Sequence, residues 1–433
     1  MLVNLTTSAT YEGLFGDPEL AALLDGKSEI GAMLEVERAL ARVQGRLGVI
    51  PEAAAEGIDE HLACIDLEPE DLRQRTAADG VPVPALLDIV RACIPEDAAD
   101  WLHWGATSQD IADTAMVLQL RACLDLLEGR LAGVIDDLKA KSHTHEDLVM
   151  AARTRGQVAT PITFGLKLAR WAQPLIDAEA ALPAVRVHAL RVQFGGAAGA
   201  NTAIAPYGPS ISETLAAELD LADSPPWHTA RGGILEAAGW LASVVAGLSK
   251  FGSDLILLGR SEIGEVRAGD GGGSSTMPQK ANPVAAEAVF TLGRLATSLH
   301  GGLLAAAAPA EERDGAAWAL EWILLPQLLL ACGAALRHAR ALADSLIPNP
   351  EAMRRTLDAQ PGSMAEAASF ALARECSRSE AKALVRAALS APEGFAAALA
   401  EKVPAVDWDS VLDPASVVPA SHAEAERIWA TRR

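Results

Sequence analysis

From Gly272 to Pro283 the chain reads Gly-Gly-Ser-Ser-Thr-Met-Pro-Gln-Lys-Ala-Asn-Pro. The glycines, Gly273 among them, give a mobile loop its backbone freedom. Ser274 and Ser275 supply oxygens able to move a proton. Lys280 and Asn282 supply a charge and a hydrogen-bond donor for a carboxylate. This is the equipment of a lid that closes over a small anion and then handles a proton. A Gly/Ser-rich linker is the bland alternative, but linkers rarely hold Met-Pro-Gln-Lys-x-Asn-Pro in fixed order.

Two further clusters carry polar chemistry. Thr107, Ser108 and Gln109 are consecutive and sit just before a long helical pattern. A helix N-terminus has free N–H groups and a partial positive charge, so these residues suit a carboxylate. They suit an ordinary N-cap equally well, with Thr107 or Ser108 as the cap. Arg153-Thr154-Arg155-Gly156-Gln157 is the second cluster. Its arginines read either as a solvated face or as an anion clamp. The chain's formal charge of −21 makes any local cation cluster more meaningful, because an anionic substrate must be drawn in against the mean field. The histidines show no metal-ligand spacing: His143 and His145, two apart, fall on different faces of a helix. Lys280 is in no phosphate-cradle pattern. No metal and no cofactor are expected.

The elements that must position these residues read as helices. Alanine and leucine are plentiful, while Tyr and Phe number 2 and 7 in 433 residues. The composition favours an all-α protein, and the length favours more than one domain. Residues 28–100 read as short helices, with starts at Ser28 and Asp71 and breaks at Pro51, Pro69, Pro82, Pro84 and Pro95. Long helices are expected over 114–141, 163–190, 232–263, 284–307 and 316–345. In the third, Ile234, Leu241, Leu248 and Leu255 recur every seven residues. Ala238, Val245 and Gly252 lie between them, the mark of a bundle seam with close helix approach. Val244, Phe251, Ile256 and Leu257 lie off that seam, which points to cover by other subunits. Pro348-Asn349-Pro350 ends the pattern. The expected plan is an N-terminal helical domain (1–112), a central long-helix bundle carrying the loop (113–346) and a C-terminal helical cap (347–433).

Such an acidic chain is expected to avoid nucleic acid and anionic membranes. The five cysteines form no C-x-x-C pair, which argues against a disulfide framework and fits a reducing cytoplasm. The first twenty residues lack a basic region followed by an apolar run. The uncharged run Trp322–Leu336 reads as a buried helix and not as a membrane span.

The 272–283 stretch resembles the signature loop G-S-S-x-M-P-x-K-x-N-P of the fumarase/aspartase superfamily and matches it at every fixed position. The resemblance implies that Ser274 is the catalytic group, with Gly273, Ser275 and Met277 supporting the loop. His103–Asp110 is similar to the superfamily's H-x-G-A-T-S-Q-D, which implies substrate binding by Thr107, Ser108 and Gln109. Arg153–Pro161 is similar to T-H-x-Q-x-A-x-P and aligns Gln157 with the glutamine. Here Arg155 replaces the usual histidine, and Val158 stands where some relatives carry another. Arginine stays protonated and cannot pass a proton, so Arg155 is read as an anion clamp. Glu311–Asp314 is similar to H-E-R-D, with Glu311 replacing histidine. Its Arg313 is a candidate for a substrate carboxylate, or for an ion pair with Glu312, Asp314 or Glu321.

The superfamily is all-α with three helical domains. Four subunits pool their central helices, and each active site draws on three chains. Gln193–Gly199, Pro226–Arg231 and Trp318–Trp322 look like the branch of bacterial 3-carboxy-cis,cis-muconate cycloisomerases. That implies a small tricarboxylate substrate, a homotetramer and a role in protocatechuate breakdown. His228, in the second segment, reads as a packed or capping histidine. The branch also gives a physical reason for the missing histidine. An amine or hydroxide leaving group needs a proton, whereas a carboxylate attacks and leaves as a stable anion. Two alternatives are an adenylosuccinate lyase-like or other fumarate-releasing enzyme of the same superfamily, and a helical scaffold without activity.

Overall fold

The computed structural model describes residues 8–269, 271–273, 276–277 and 280–432. Five long helices dominate: Ser108–Thr144, Phe164–Ala189, Gly232–Leu258, Val284–Ala306 and Gly315–Asp344. The expected ranges agree closely except at the first start and at the end of the third, which stops at Leu258 and not at 263. The first helix begins at Ser108, so the polar motif forms its opening turn and does not precede it.

Before these helices, Gly26–Arg46 forms one helix of 21 residues, longer than expected. Both expected helix starts need correction. Asp25 caps this helix by accepting from the Ser28 N–H at 2.8 Å, so Ser28 is inside the first turn. Glu68 caps Pro69–Asp79, and the Asp71 side chain accepts from the Glu68 N–H at 3.0 Å, closing a capping box. The prolines mostly open helices where they were expected to break them. Pro69 sits at a first turn, and Pro51, Pro82 and Pro95 occupy N-cap positions, where a missing N–H costs nothing.

By compactness the chain forms two units. One comprises 1–130, 181–246 and 291–336; the other comprises 131–180, 247–290 and 337–433. The first has a core of Met33, Leu40, Ile58, Leu86, Ile111, Phe194 and Leu215. In the second, Phe164, Trp171 and Phe251 form a buried cluster of edge-on and tilted rings, with the Trp171 and Phe251 ring centres 5.2 Å apart. A smaller cluster around Leu372, Ala381, Leu399 and Trp408 organises the C-terminal helices of that unit.

The Ile234, Leu241, Leu248 and Leu255 seam is buried as expected. A Cβ on Gly252 would lie 3.0 Å from the Ala286 carbonyl, so glycine lets the Val284–Ala306 helix approach closely. Val244 and Phe251 do not need other subunits for cover: both are 0% exposed within the chain itself. Gly232–Leu258 and Gly315–Asp344 are long and apolar enough to cross a bilayer by length and composition alone. Half or more of the most apolar window of each is buried inside the protein, as in a core helix.

One local element was absent from the helical expectation. Val149–Thr154 and Gln157–Thr163 form an antiparallel hairpin. Its two turn residues, Arg155 and Gly156, have φ of 52° and 79°, the two-residue turn whose twist matches the strands. Val266–Arg267 pairs briefly with Ile347–Pro348.

Candidate active site

In the first unit the candidates gather at the start of the Ser108–Thr144 helix. Thr107 and Ser108 are half-buried, while Gln109 and Asp110 are buried. Asp110 turns back and accepts from the Thr107 N–H at 3.0 Å. The same carboxylate accepts from Gly195 N–H and Gly196 N–H, both at 2.9 Å, and from His228 Nε2 at 2.8 Å. Gln109 Nε2 donates to Asp113 at 3.2 Å and to the His228 carbonyl at 3.1 Å. Its oxygen must therefore face the other way, where it accepts from Arg313 Nε at 2.9 Å. Gln109 is thus committed to other protein groups. Arg313 is exposed, and its second contact is the Ala197 carbonyl at 3.2 Å. It forms no ion pair among the described residues. Glu321, one partner considered for it, is taken by Arg231. Asp314 caps the Gly315–Asp344 helix, and hydrogen bonds from the Ala310, Ala317 and Ala316 amides hold its carboxyl below the usual carboxylate range.

Beneath this surface lies a charged cluster that sequence reasoning did not assign. Arg231 bridges Asp113, at 2.6 Å, and Glu321, all three nearly inaccessible. Trp318 Nε1 donates to Asp113 at 2.8 Å, and the guanidinium lies 4.6 Å from the centre of the Trp227 ring. Trp227 is held in turn by its N–H to Gln193 Oε1 at 2.8 Å and by Nε1 to the Val192 carbonyl at 2.9 Å. Burial alone would lower the Arg231 pKa, but the two carboxylates raise it; burial raises that of Glu321. Three segments with no assigned role, Gln193–Gly199, Pro226–Arg231 and Trp318–Trp322, are therefore one structure around Asp110 and Asp113. The signal was two tryptophans, Trp227 and Trp318, each within four positions of a charged residue, Arg231 and Glu321.

In the second unit, Arg155 and Gln157 are exposed at the hairpin tip. Arg155 forms no ion pair among the described residues. Its neighbour Arg153 behaves oppositely, pairing bidentately with buried Glu265 at 2.8 and 2.6 Å. Thr356 Oγ1 donates to the same carboxylate at 2.7 Å. The 272–283 loop has a defined neck. Gly272 N–H donates to the Asn282 carbonyl at 2.7 Å, and Asn282 N–H returns to the Gly272 carbonyl at 2.8 Å. The Asn282 amide points to the Gly273 carbonyl, at 3.5 Å. Lys280 and Met277 are exposed. Ser274 and Ser275 lie outside the described residues.

A family model described as Lyase matches residues 20–296. The chain is 38% identical over 377 residues to a 3-carboxy-cis,cis-muconate cycloisomerase of Bradyrhizobium diazoefficiens, covering 85% of this chain and 84% of the relative. It is 36% identical to the protein of the same name from Pseudomonas aeruginosa, over 99% of this chain and 97% of the relative. The crystal structure of 3-carboxy-cis,cis-muconate lactonizing enzyme from Pseudomonas putida superposes with a TM-score of 0.90 at 31% identity, covering 98% of this chain and 99% of that one.

Proposed function

The chain belongs to the lyase family of the fumarase/aspartase superfamily, and we propose that it is a cycloisomerase closing 3-carboxy-cis,cis-muconate to a carboxymuconolactone. The observation that carries this reading is likeness to cycloisomerases along almost the whole of both chains. Arg155 supports it. An exposed cation with no ion pair among the described residues stands where an amine or water lyase needs a titrating histidine.

The reaction is an isomerisation. A substrate carboxylate adds to a conjugated double bond, forming one C–O bond and losing one C–C π bond. The adjacent α-carbon then takes one proton, ultimately from the medium, so the trianion becomes a dianion and the composition of the free acid is unchanged. No leaving-group proton is required. General catalysis of one proton transfer is worth about 10²–10⁴ in rate; its loss cripples an amine lyase and spares a lactonising enzyme. Ser274 is assigned the proton at the α-carbon. Its hydroxyl needs nearby donors and exclusion of water to deliver it.

The substrate carries three carboxylates. Arg155, Lys280 and Arg313 are the cations assigned to them, with Thr107, Ser108, Gln157 and Asn282 as hydrogen-bonding support; Gln109, whose amide is already committed, acts through Arg313. Gly273, Ser275 and Met277 support the loop. A homotetramer with active sites shared among subunits belongs to the same reading. The three-domain plan with boundaries at 112 and 346 belongs to the same reading, as does a cytoplasmic location.

Incubation with 3-carboxy-cis,cis-muconate, followed by absorbance, tests the reading beside a parallel assay for fumarate release from adenylosuccinate. Loss of the muconate chromophore without fumarate production is expected. Fumarate production with an unchanged muconate spectrum would favour the amine lyases. Silence in both assays would favour a scaffold.

A further inference from the structure

We propose that His228 is a positioning residue for the substrate-facing Arg313, acting through Gln109; this rests on the tricarboxylate reading above. His228 is 6% exposed, and its Nε2 lies 2.8 Å from Asp110 Oδ1. A carboxylate only accepts, so Nε2 carries the proton. The ring is enclosed by glycines. A Cβ on Gly195 would come 2.9 Å from His228 Cε1, and one on Gly199 3.4 Å from Nδ1. Nδ1 is buried without a partner.

The consequence runs through the backbone. Anchoring the ring to Asp110 fixes the His228 carbonyl, which accepts from Gln109 Nε2 at 3.1 Å. With Asp113 taking the same NH₂ group, the Gln109 amide has one orientation, and its oxygen is presented to Arg313 Nε at 2.9 Å. Asp110 also ties down Gly195 and Gly196, next to the Ala197 carbonyl that receives Arg313 Nη2. Both known contacts of Arg313 therefore depend on the Asp110–His228 pair. The space among Gln109, His228, Arg231 and Trp318 is about 10 Å³, room for one water at most and not for a substrate carboxylate. His228 thus works at one remove.

A double-mutant cycle tests this in the full-length protein. His228→Ala, Arg313→Ala and the double variant are compared for KM and kcat on the muconate. Calorimetry with propane-1,2,3-tricarboxylate serves as a non-reacting probe. Each single change is expected to weaken binding about 10- to 100-fold, the worth of a hydrogen bond to a charged group. kcat should fall much less. The double variant should be scarcely worse than Arg313→Ala. His228→Gln keeps a donor for Asp110 and should recover most of the loss; it also carries the test if the alanine variant does not fold. Losses that simply multiply, or a glutamine variant no better than alanine, overturn the inference while wild-type turnover leaves the function standing. A wild type that neither binds the tricarboxylate nor consumes the muconate takes both down.

Discussion

Arg153 and Arg155 are two positions apart and have opposite roles. Arg153 is consumed by buried Glu265, while Arg155 is presented at a turn and forms no ion pair among the described residues. Arg155→Ala should raise KM for the muconate by about 10- to 100-fold. Lysine should restore only part, because it lacks the planar fork. Arg155→His should bring no gain in lactonisation on a new limb of the kcat/KM profile near the ordinary histidine pKa of about 6.5; a clear gain there would show that a general acid was wanted. His103 gives a stability prediction. Burial pushes its pKa down, but the charge of Glu37 and the 2.6 Å hydrogen bond outweigh that, with help from Asp110 against Arg91, so the folded value is raised. A raised histidine pKa stabilises fully below the unfolded value and is lost as pH climbs through the folded one. His103→Gln should therefore lower Tm clearly at pH 6 and little at pH 9; an equal drop at both would mean that the charge contributes nothing. Arg231→Met leaves Asp113 and Glu321 buried without their cation and should cost roughly 3–5 kcal/mol in denaturant unfolding.

At the scale of elements, the loop neck depends on glycine. A Cβ on Gly272 would meet Val284 Cγ2 at 2.4 Å, so Gly272→Ala should open the Gly272–Asn282 pairing. kcat is expected to fall with the far-ultraviolet spectrum unchanged; full activity would show that the neck does not set the loop. The long helices were legible because apolar periodicity persists over many turns and averages out single exceptions. The hairpin was not, although Arg-Gly between Val149–Thr154 and Gln157–Thr163 is a two-residue turn with glycine. Helical context on both sides masked a period of two over so few residues. Caps misled for a related reason. Ser28 and Asp71 are good cap types, but Asp25 and Glu68 took the position and left them in the first turn. The polar motifs were legible as single segments. Their convergence on Asp110 and Asp113 was not, because the partners of those carboxylates lie as many as 205 positions away.

For the whole molecule, the proposed tetramer can be tested apart from the reaction. Leu248 is 0% exposed within one chain, so Leu248→Asp should unfold the protein and not merely dissociate it. Leu304 and Ile323 are 54% and 58% exposed on long helices, and they are the better probes of assembly. Sedimentation should give four chains of 45.1 kDa, and Leu304→Glu should yield smaller, still helical species; a wild-type monomer at working concentration would refute the tetramer. The central claim is that one carboxylate adds within the substrate and one proton reaches the α-carbon. Turnover of 3-carboxy-cis,cis-muconate in D₂O, read by NMR and mass spectrometry, tests it most directly. The account predicts a lactone of the substrate's own composition bearing one non-exchanging deuterium beside the carboxylate. A product that has gained water, lost CO₂ or been cleaved to fumarate, or a lactone with no deuterium at that carbon, would contradict it.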